Sequence, residues 1–153
     1  KKNDPNEEVA QRLLDFVTSE IGYDHNEAEE TKFYSVQFMK KPNEVLYSKQ
    51  AICGGLAITL ASLLEQTNVD YKLLYLDHHL TIAVEGNYGN TNGLTFDFGG
   101  RNYSIAESTT PGFRIGQSIL KKPIRVEDIR YVQRPGKTSK VYNAKTGKPV
   151  MQK

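Results

Sequence analysis

Cysteine is nearly absent from this sequence, and tryptophan is absent altogether. With Cys53 as its single cysteine the chain forms no internal disulfide, so thiol pairing does not indicate a redox compartment. No apolar run approaches the ~20 residues that a transmembrane helix needs, so no membrane span is expected. The 153 residues, 38% hydrophobic and 25% charged, instead predict one soluble α+β domain with its own core.

The positive charge is concentrated at the C-terminus. Residues 134–153 carry six Lys or Arg and no acid, whereas the rest of the chain has 14 basic against 18 acidic residues. Because this basic run lacks interleaved aromatics, we interpret it as a solvated extension with a small hairpin and expect no nucleic-acid partner. The start at Lys1, without Met or an apolar leader, suggests a processed protein or a piece of a longer one.

Helical patterns dominate the first half of the chain. Asp4 and Pro5 supply an N-cap and a first-turn proline, and a helix is predicted to follow until Gly22. Its predicted inner face is Val9, Leu13, Phe16, Val17 and Ile21. The polar stretch 24–44 is interpreted as a surface loop with a short helix near residues 33–39. A strongly apolar second helix is predicted to begin at or just after Cys53.

The second half has the pattern of an antiparallel sheet. The predicted strands are residues 71–76, 79–84, 95–98, 103–108 and 124–132, followed by a hairpin over 141–151. The fold class is therefore α+β, with N-terminal helices and a Cys-bearing helix packed on an antiparallel sheet.

Cys53 is a candidate nucleophile because the N-terminus of a helix stabilises a thiolate and offers free N–H groups to an oxyanion. Gln50 is a weaker candidate for a second oxyanion donor. The base is expected from the pair His78-His79, with His79 opening an apolar strand and His78 pointing the other way. Two acids compete to orient His79. Simple meander pairing would bring Asp97 level with it, and spacing alone does not favour Glu107.

Several short motifs resemble the transglutaminase-like superfamily, which has a papain-like thiol fold. In that family a cysteine motif of the form Gly-x-Cys-x-x-x-Ala precedes a histidine-led strand and then Trp-x-x-x-Asp-Pro-Thr. The residues that match these motifs, directly or by type, are Cys53, Ala57, His79, Val84, Tyr103, Glu107 and Thr109. The resemblance covers about residues 7–116 and favours Glu107 over Asp97 as the third member of a Cys-His-acid triad.

The family resemblance implies a thiol acyl-transfer enzyme that acts on a protein or peptide substrate. A cysteine protease or amidase is expected first, and a protein-crosslinking transglutaminase second. The sequence departs from the family at Ala51, at Leu80-Thr81 and at Glu107-Ser108, which motivates an alternative: a catalytically inactive binding module of a larger envelope or secreted protein. No cofactor and no metal are expected, since adjacent histidines on a strand face opposite sides. The domain is predicted to span 1–133, with 134–153 as its basic extension.

Overall fold

The computed structural model describes residues 4–34, 39–88, 95–118, 125–133 and 140–150. Four α-helices lie within these ranges, all in the first half of the chain. Their bounds are α1 Pro5–Glu20, α2 His25–Tyr34, α3 Pro42–Ser48 and α4 Cys53–Leu64. Two short parallel strands, β1 Gly22–Tyr23 and β2 Gln50–Ala51, connect this helical part to the start of α4.

The main sheet is antiparallel and has six strands in the described chain. They are β3 Tyr71–Leu76, β4 His79–Glu85, β5 Thr95–Phe98, β6 Arg101–Ala106, β7 Arg130–Gln133 and β8 Val141–Asn143. Their spatial order is β5-β6-β4-β3-β7-β8. The sheet is therefore not a simple meander, because β6 rather than β5 pairs with β4. The mixed α+β architecture, with the cysteine on a central helix, confirms the predicted fold class.

Helix α1 begins as predicted but turns a different side to the core. The Asp4 carboxylate accepts a hydrogen bond from the Asn6 N–H at 2.9 Å, and Pro5 opens the first turn. Its buried positions are Ala10, Leu14, Val17 and Thr18, followed by Ile21. The prediction was wrong for Val9 and Phe16, which are 37% and 43% exposed, because the buried stripe of α1 runs through Ala10, Leu14 and Val17 instead.

Helix α4 forms the centre of the core. Eight of its twelve residues are buried, so it packs on nearly all sides, as its continuous apolar sequence predicts. It contacts α1 and α3 on one side and strands β3 and β4 on the other. The opposite face of the sheet buries a second, aromatic-rich cluster that includes Phe96, Phe98, Tyr103 and Tyr131. The sheet therefore lies between the two clusters, and α4 packs against its central strands β3 and β4.

The stretch from Asp24 to Glu44 is more ordered than the loop that we expected. Helix α2 runs through its first part and α3 begins near its end, while residues 35–38 of the predicted short helix lie outside the described chain. Helix α2 buries none of its residues. It therefore has no apolar stripe, which is why hydrophobic periodicity did not reveal it.

The C-terminal strands extend the sheet. A single 3-10 turn, Val126–Asp128, precedes β7, so the predicted strand over 124–132 is shorter than expected. Strand β8 pairs with β7, and Tyr142 also forms a bridge with Pro149 across a tight turn. Residues 134–139 and 151–153 lie outside the described chain. The part of the basic extension that is described thus supplies an edge strand of the main sheet.

Candidate active site

Cys53 is the first residue of α4, and a compact turn positions it. Helix α3 ends at Ser48, and the left-handed backbone of its C-cap Lys49 (φ 55°) turns the chain back into β2. Ile52 then caps α4 in an extended conformation, and Cys53 follows with its side chain partly exposed. A Cβ at Gly55 would lie 2.8 Å from the Ala51 Cβ. The second glycine after Cys53 is therefore required by close packing between the first turn of α4 and β2.

His79 opens strand β4 at the end of a tight hairpin. Leu76 pairs with His79 across β3 and β4, leaving Asp77 and His78 as the turn residues. His78 has a left-handed backbone (φ 55°) and its side chain is 94% exposed beside Asp77. The expectation that His78 belongs to the extended strand was therefore wrong, since the hairpin needs it in the turn. His79 alone of this pair is directed towards the thiol.

Glu107 follows directly after β6 and reaches His79 across the sheet. Its Oε2 lies 3.1 Å from His79 Nε2, and its side chain has no solvent exposure. The register of β4 and β6 pairs Ile82 with Ala106, so Glu107 is offset diagonally from His79 at the ends of neighbouring strands. The extra methylene of glutamate, relative to the family's aspartate, suits this diagonal reach.

Asp97 is far from this cluster. It pairs with Asn102 across β5 and β6, and the register of β6 with β4 places that position beyond Glu85. His79 lies at the other end of β4, roughly 20 Å away along the strand. The expectation that Asp97 would be level with His79 was wrong because β6 separates β5 from β4. Its carboxylate instead accepts a hydrogen bond from the Gly100 N–H in the β5–β6 turn at 3.1 Å.

The His79 ring lies between Glu107, 3.1 Å from its Nε2, and the Cys53 thiol, which lines the same cavity and interacts with the ring electrostatically. Because Nε2 faces Glu107, Nδ1 is the ring nitrogen that remains for the thiol. Burial opposes the charged form of the ring, but both hydrogen bonds and both negative partners outweigh it and raise the pKa of His79 to about 9. The imidazolium is therefore the favoured form at neutral pH.

The Cys53 thiol is shifted in the complementary direction. Burial raises its pKa, but the hydrogen bond with His79, the Leu80 and Gly54 N–H groups and the His79 charge more than compensate. The net effect places the pKa of Cys53 below its usual range. A thiolate paired with an imidazolium is the state that these two shifts favour.

The Glu107 carboxylate is held ionised although it is buried. Burial raises its pKa, but hydrogen bonds and charge attraction from His79, with further hydrogen bonds from Thr109, lower the pKa below the usual range. The Thr109 hydroxyl donates to Glu107 Oε1 at 2.8 Å, so both carboxylate oxygens have a partner. Thr109 thereby fixes the rotation of the carboxylate that faces His79.

A cavity of about 400 Å³ opens over the thiol. It is lined by Tyr23, His25, Cys53, His78, His79, Thr109 and Thr110. Sequence reasoning missed Tyr23 and His25. Tyr23 is half of a two-residue strand, which has no periodicity to detect, and only its parallel pairing with Ala51 shows that it lies beside the thiol. Gln50, the weak candidate for an oxyanion donor, lines a different cavity with Asp24 and Lys40.

The described residues contain no group of three or more His, Cys, Asp or Glu side chains placed to hold a metal ion. Among the helices of the described ranges, none is both long and apolar enough to cross a membrane. The Cys53 thiol is thus surrounded by imidazoles and hydroxyl groups, with the buried Glu107 carboxylate behind His79. Such a set is suited to nucleophilic and acid–base chemistry.

The cysteine at a helix start, the strand-opening histidine and the α+β fold define the class of papain-like thiol domains. A family model described as a transglutaminase-like domain matches residues 1–89, which is more than half of the chain and includes Cys53 and His79. The chain therefore belongs to the transglutaminase-like family. Glu107 lies beyond the matched residues, so its place beside His79 rests on the structure. Comparison with proteins of curated function gives no match.

Proposed function

We propose that this domain is a thiol-dependent acyl-transfer enzyme, a hydrolase of peptide or amide bonds in a protein or peptide substrate. Cys53 is the nucleophile, His79 the acid and base, and Glu107 the residue that orients His79. The observation that carries the proposal is the position of His79 between the Cys53 thiol, with which it lines one cavity, and the fully buried Glu107, whose Oε2 is 3.1 Å from His79 Nε2. A buried carboxylate beside His79 favours the imidazolium form of the ring, and the imidazolium in turn stabilises the Cys53 thiolate.

In the first half of the reaction the Cys53 thiolate attacks the substrate carbonyl carbon. A C–S bond forms while the carbonyl π electrons move to oxygen, and the resulting oxyanion is stabilised at the N-terminus of α4 by the Cys53 N–H. The tetrahedral intermediate then collapses. The C–N bond breaks, His79 gives its proton to the departing amine, and a thioester on Cys53 remains.

In the second half the neutral His79 takes a proton from water, whose oxygen attacks the thioester. The C–S bond breaks, a carboxylic acid leaves, and the Cys53 thiolate and the His79 imidazolium are restored. An amine could replace water in this step, and the product would then be a new amide. We favour water because hydrolysis needs no second site to bind an amine-bearing side chain.

The experiment that tests this proposal measures the products of both halves of the reaction, acylation and deacylation, on one substrate. Denatured casein is incubated with the intact chain, with and without putrescine, and three products are measured: new α-amino groups, ammonia and incorporated putrescine. Hydrolysis of peptide bonds predicts new α-amino groups that are absent with Cys53→Ala. Ammonia without putrescine incorporation would indicate a side-chain amidase, and incorporation would indicate a transamidase.

The alternative is a family member that keeps the fold and binds without catalysis. The departures at Ala51 and Leu80-Thr81 motivate it. It predicts none of the three products, and equal binding of a denatured protein by the wild type and by Cys53→Ala. A wild type that is inert in this assay, yet binds casein as Cys53→Ala does, would contradict the enzyme proposal.

A further inference from the structure

Tyr23 is held beside the nucleophile by backbone pairing rather than by chance. Tyr23 pairs with Ala51 in the parallel β1–β2 ladder, and the Asp24 N–H donates to the Ala51 carbonyl at 3.0 Å. Ala51 is two residues before Cys53, so the same short strand that leads into α4 sets the position of the phenol. Its ring also contacts His25 edge-on, at 5.2 Å between ring centroids. The result is a fixed hydroxyl-bearing side chain in the wall of the thiol cavity.

The position of Tyr23 relative to the base is suited to one role. His79 lines the cavity from strand β4, whereas Tyr23 lines it from β1, the partner of the strand that precedes α4. The departing amine must face His79, which protonates it. The carbonyl oxygen of a tetrahedral intermediate then points away from His79, towards the helix N-terminus. Tyr23 pairs with Ala51, two residues before Cys53, and so lines the cavity next to that N-terminus.

Two other polar side chains of the cavity wall, Thr109 and His78, already have partners. The Thr109 hydroxyl donates to Glu107. His78 is 94% exposed and ion-paired at 3.2 Å with the equally exposed Asp77. Tyr23 is 36% exposed, and burial together with the negative charges of Cys53 and Glu27 raises its pKa. The phenol therefore keeps its proton at neutral pH and remains a donor while the thiolate is present.

We propose that the Tyr23 hydroxyl is the second hydrogen-bond donor to the oxyanion that forms on the substrate when Cys53 attacks. This role rests on the proposed function. As the C–S bond forms, negative charge moves from Sγ to the carbonyl oxygen, and the Tyr23 O–H donates to that oxygen together with the Cys53 N–H. No proton leaves Tyr23. It replaces Gln50, which faces another cavity, as the side-chain donor of the site.

The test compares two reactions of the same thiol in the intact chain. Iodoacetamide alkylates Cys53 by direct displacement, which forms no oxyanion. p-Nitrophenyl acetate acylates it through a tetrahedral oxyanion and releases p-nitrophenolate. Tyr23→Phe removes only the hydroxyl, and Tyr47→Phe is the matched control because Tyr47 is 93% exposed on α3. The ratio of the acylation rate to the alkylation rate isolates oxyanion stabilisation in each variant.

Tyr23→Phe is expected to slow acylation by roughly a hundred- to a thousandfold, as loss of one oxyanion donor does elsewhere, while alkylation changes less than about twofold. Tyr47→Phe should change neither rate. Equal slowing of both reactions, or of neither, would overturn the role of Tyr23 even if the proposed function holds. A wild type that is neither acylated nor alkylated faster than a free thiol would overturn both, and that failure is visible before any tyrosine variant is made.

Discussion

Glu107 and His79 are 28 residues apart in the sequence, yet Glu107 Oε2 and His79 Nε2 are 3.1 Å apart. The carboxylate is completely shielded from solvent and the imidazole is 11% exposed. A buried charge is costly unless it is paired and hydrogen-bonded. Glu107 meets both conditions through His79 and Thr109. The pair is therefore the electrostatic basis of the site, and the first prediction concerns it.

Replacing Glu107 by Gln keeps the size of the side chain but removes its charge. The pKa of His79 should fall from about 9, because attraction to the carboxylate is one of its causes, and the thiolate at Cys53 should become less populated at pH 7. We expect alkylation of Cys53 by iodoacetamide at pH 7 to slow about tenfold or more, on the order of one pKa unit. Turnover of any acyl substrate should fall by roughly 10²-fold.

Glu107→Asp tests the length of the side chain rather than its charge. Aspartate is the family's usual residue here, but it is shorter by one methylene, and Glu107 spans a diagonal offset between β4 and β6 to reach His79. We expect Glu107→Asp to lose the 3.1 Å contact with His79 and to resemble Glu107→Gln in alkylation rate. An Asp variant as reactive as the wild type would show that the site tolerates either length.

The stability of the fold should depend on Glu107 in acid. Because the pKa of Glu107 is lowered below 4.5 in the folded state, its contribution is fully present above about pH 4.5 and is lost as the pH falls through the folded-state value. The difference in unfolding free energy between the wild type and Glu107→Gln should therefore shrink below pH 4.5. Urea unfolding between pH 3 and 7 measures it. Glu30→Gln, on an exposed part of α2, is the control and should show no such trend.

The cysteine-bearing turn should not accept a larger residue at Gly55. An alanine there would place its Cβ 2.8 Å from the Ala51 Cβ, a contact between two atoms fixed by backbone. We expect Gly55→Ala to lower the unfolding free energy by about 1–3 kcal/mol, the usual cost of overpacking. Adding Ala51→Gly removes the clashing atom and should restore part of the loss. Urea unfolding of the two single variants and the double variant checks this coupling.

The C-terminal extension should contribute to folding through strand β8. Tyr142 stacks on Tyr131 at 5.4 Å between ring centroids, and Ala144 joins the aromatic cluster of the sheet. Deleting residues 134–153 should lower the stability by about 2 kcal/mol or more, which corresponds to roughly 4–8 °C in Tm. The control is the double variant Lys145→Gln and Lys148→Gln, which removes two positive charges of the extension but keeps strand β8. A deletion no more harmful than this pair would mean that the extension is only a solvated tail.

The sequence predicted those parts of the fold whose signals are local. Capping residues predicted the start of α1 at Asp4 and Pro5, and hydrophobic patterning predicted the apolar helix α4. Alternation and β-propensity predicted the strands 71–76 and 95–98. Each of these depends on residues close together in the chain. The position of Cys53 at the first residue of α4 belongs to the same group.

The strand order and the wall of the cavity could not be predicted from local patterns. Strand β6 lies between β4 and β5, and this order places Glu107 rather than Asp97 beside His79. Proximity reasoning alone had favoured Asp97, whereas the family motif had favoured Glu107. Tyr23 reaches the thiol through a parallel pairing between β1 and β2, two strands of two residues each. No window of the sequence contains both halves of that pairing.

The Cys53–His79 pair is tested most directly by the rate of Cys53 alkylation by iodoacetamide against pH in the intact chain, His79→Ala and His78→Ala. His78 is the control because it is adjacent to His79 and its side chain is 94% exposed. A working pair predicts a wild-type thiolate pKa below the usual ~8.5, a rise towards that value in His79→Ala, and no change in His78→Ala. An ordinary thiol pKa in the wild type, unaffected by His79→Ala, would contradict a working Cys53–His79 pair and leave a binding domain.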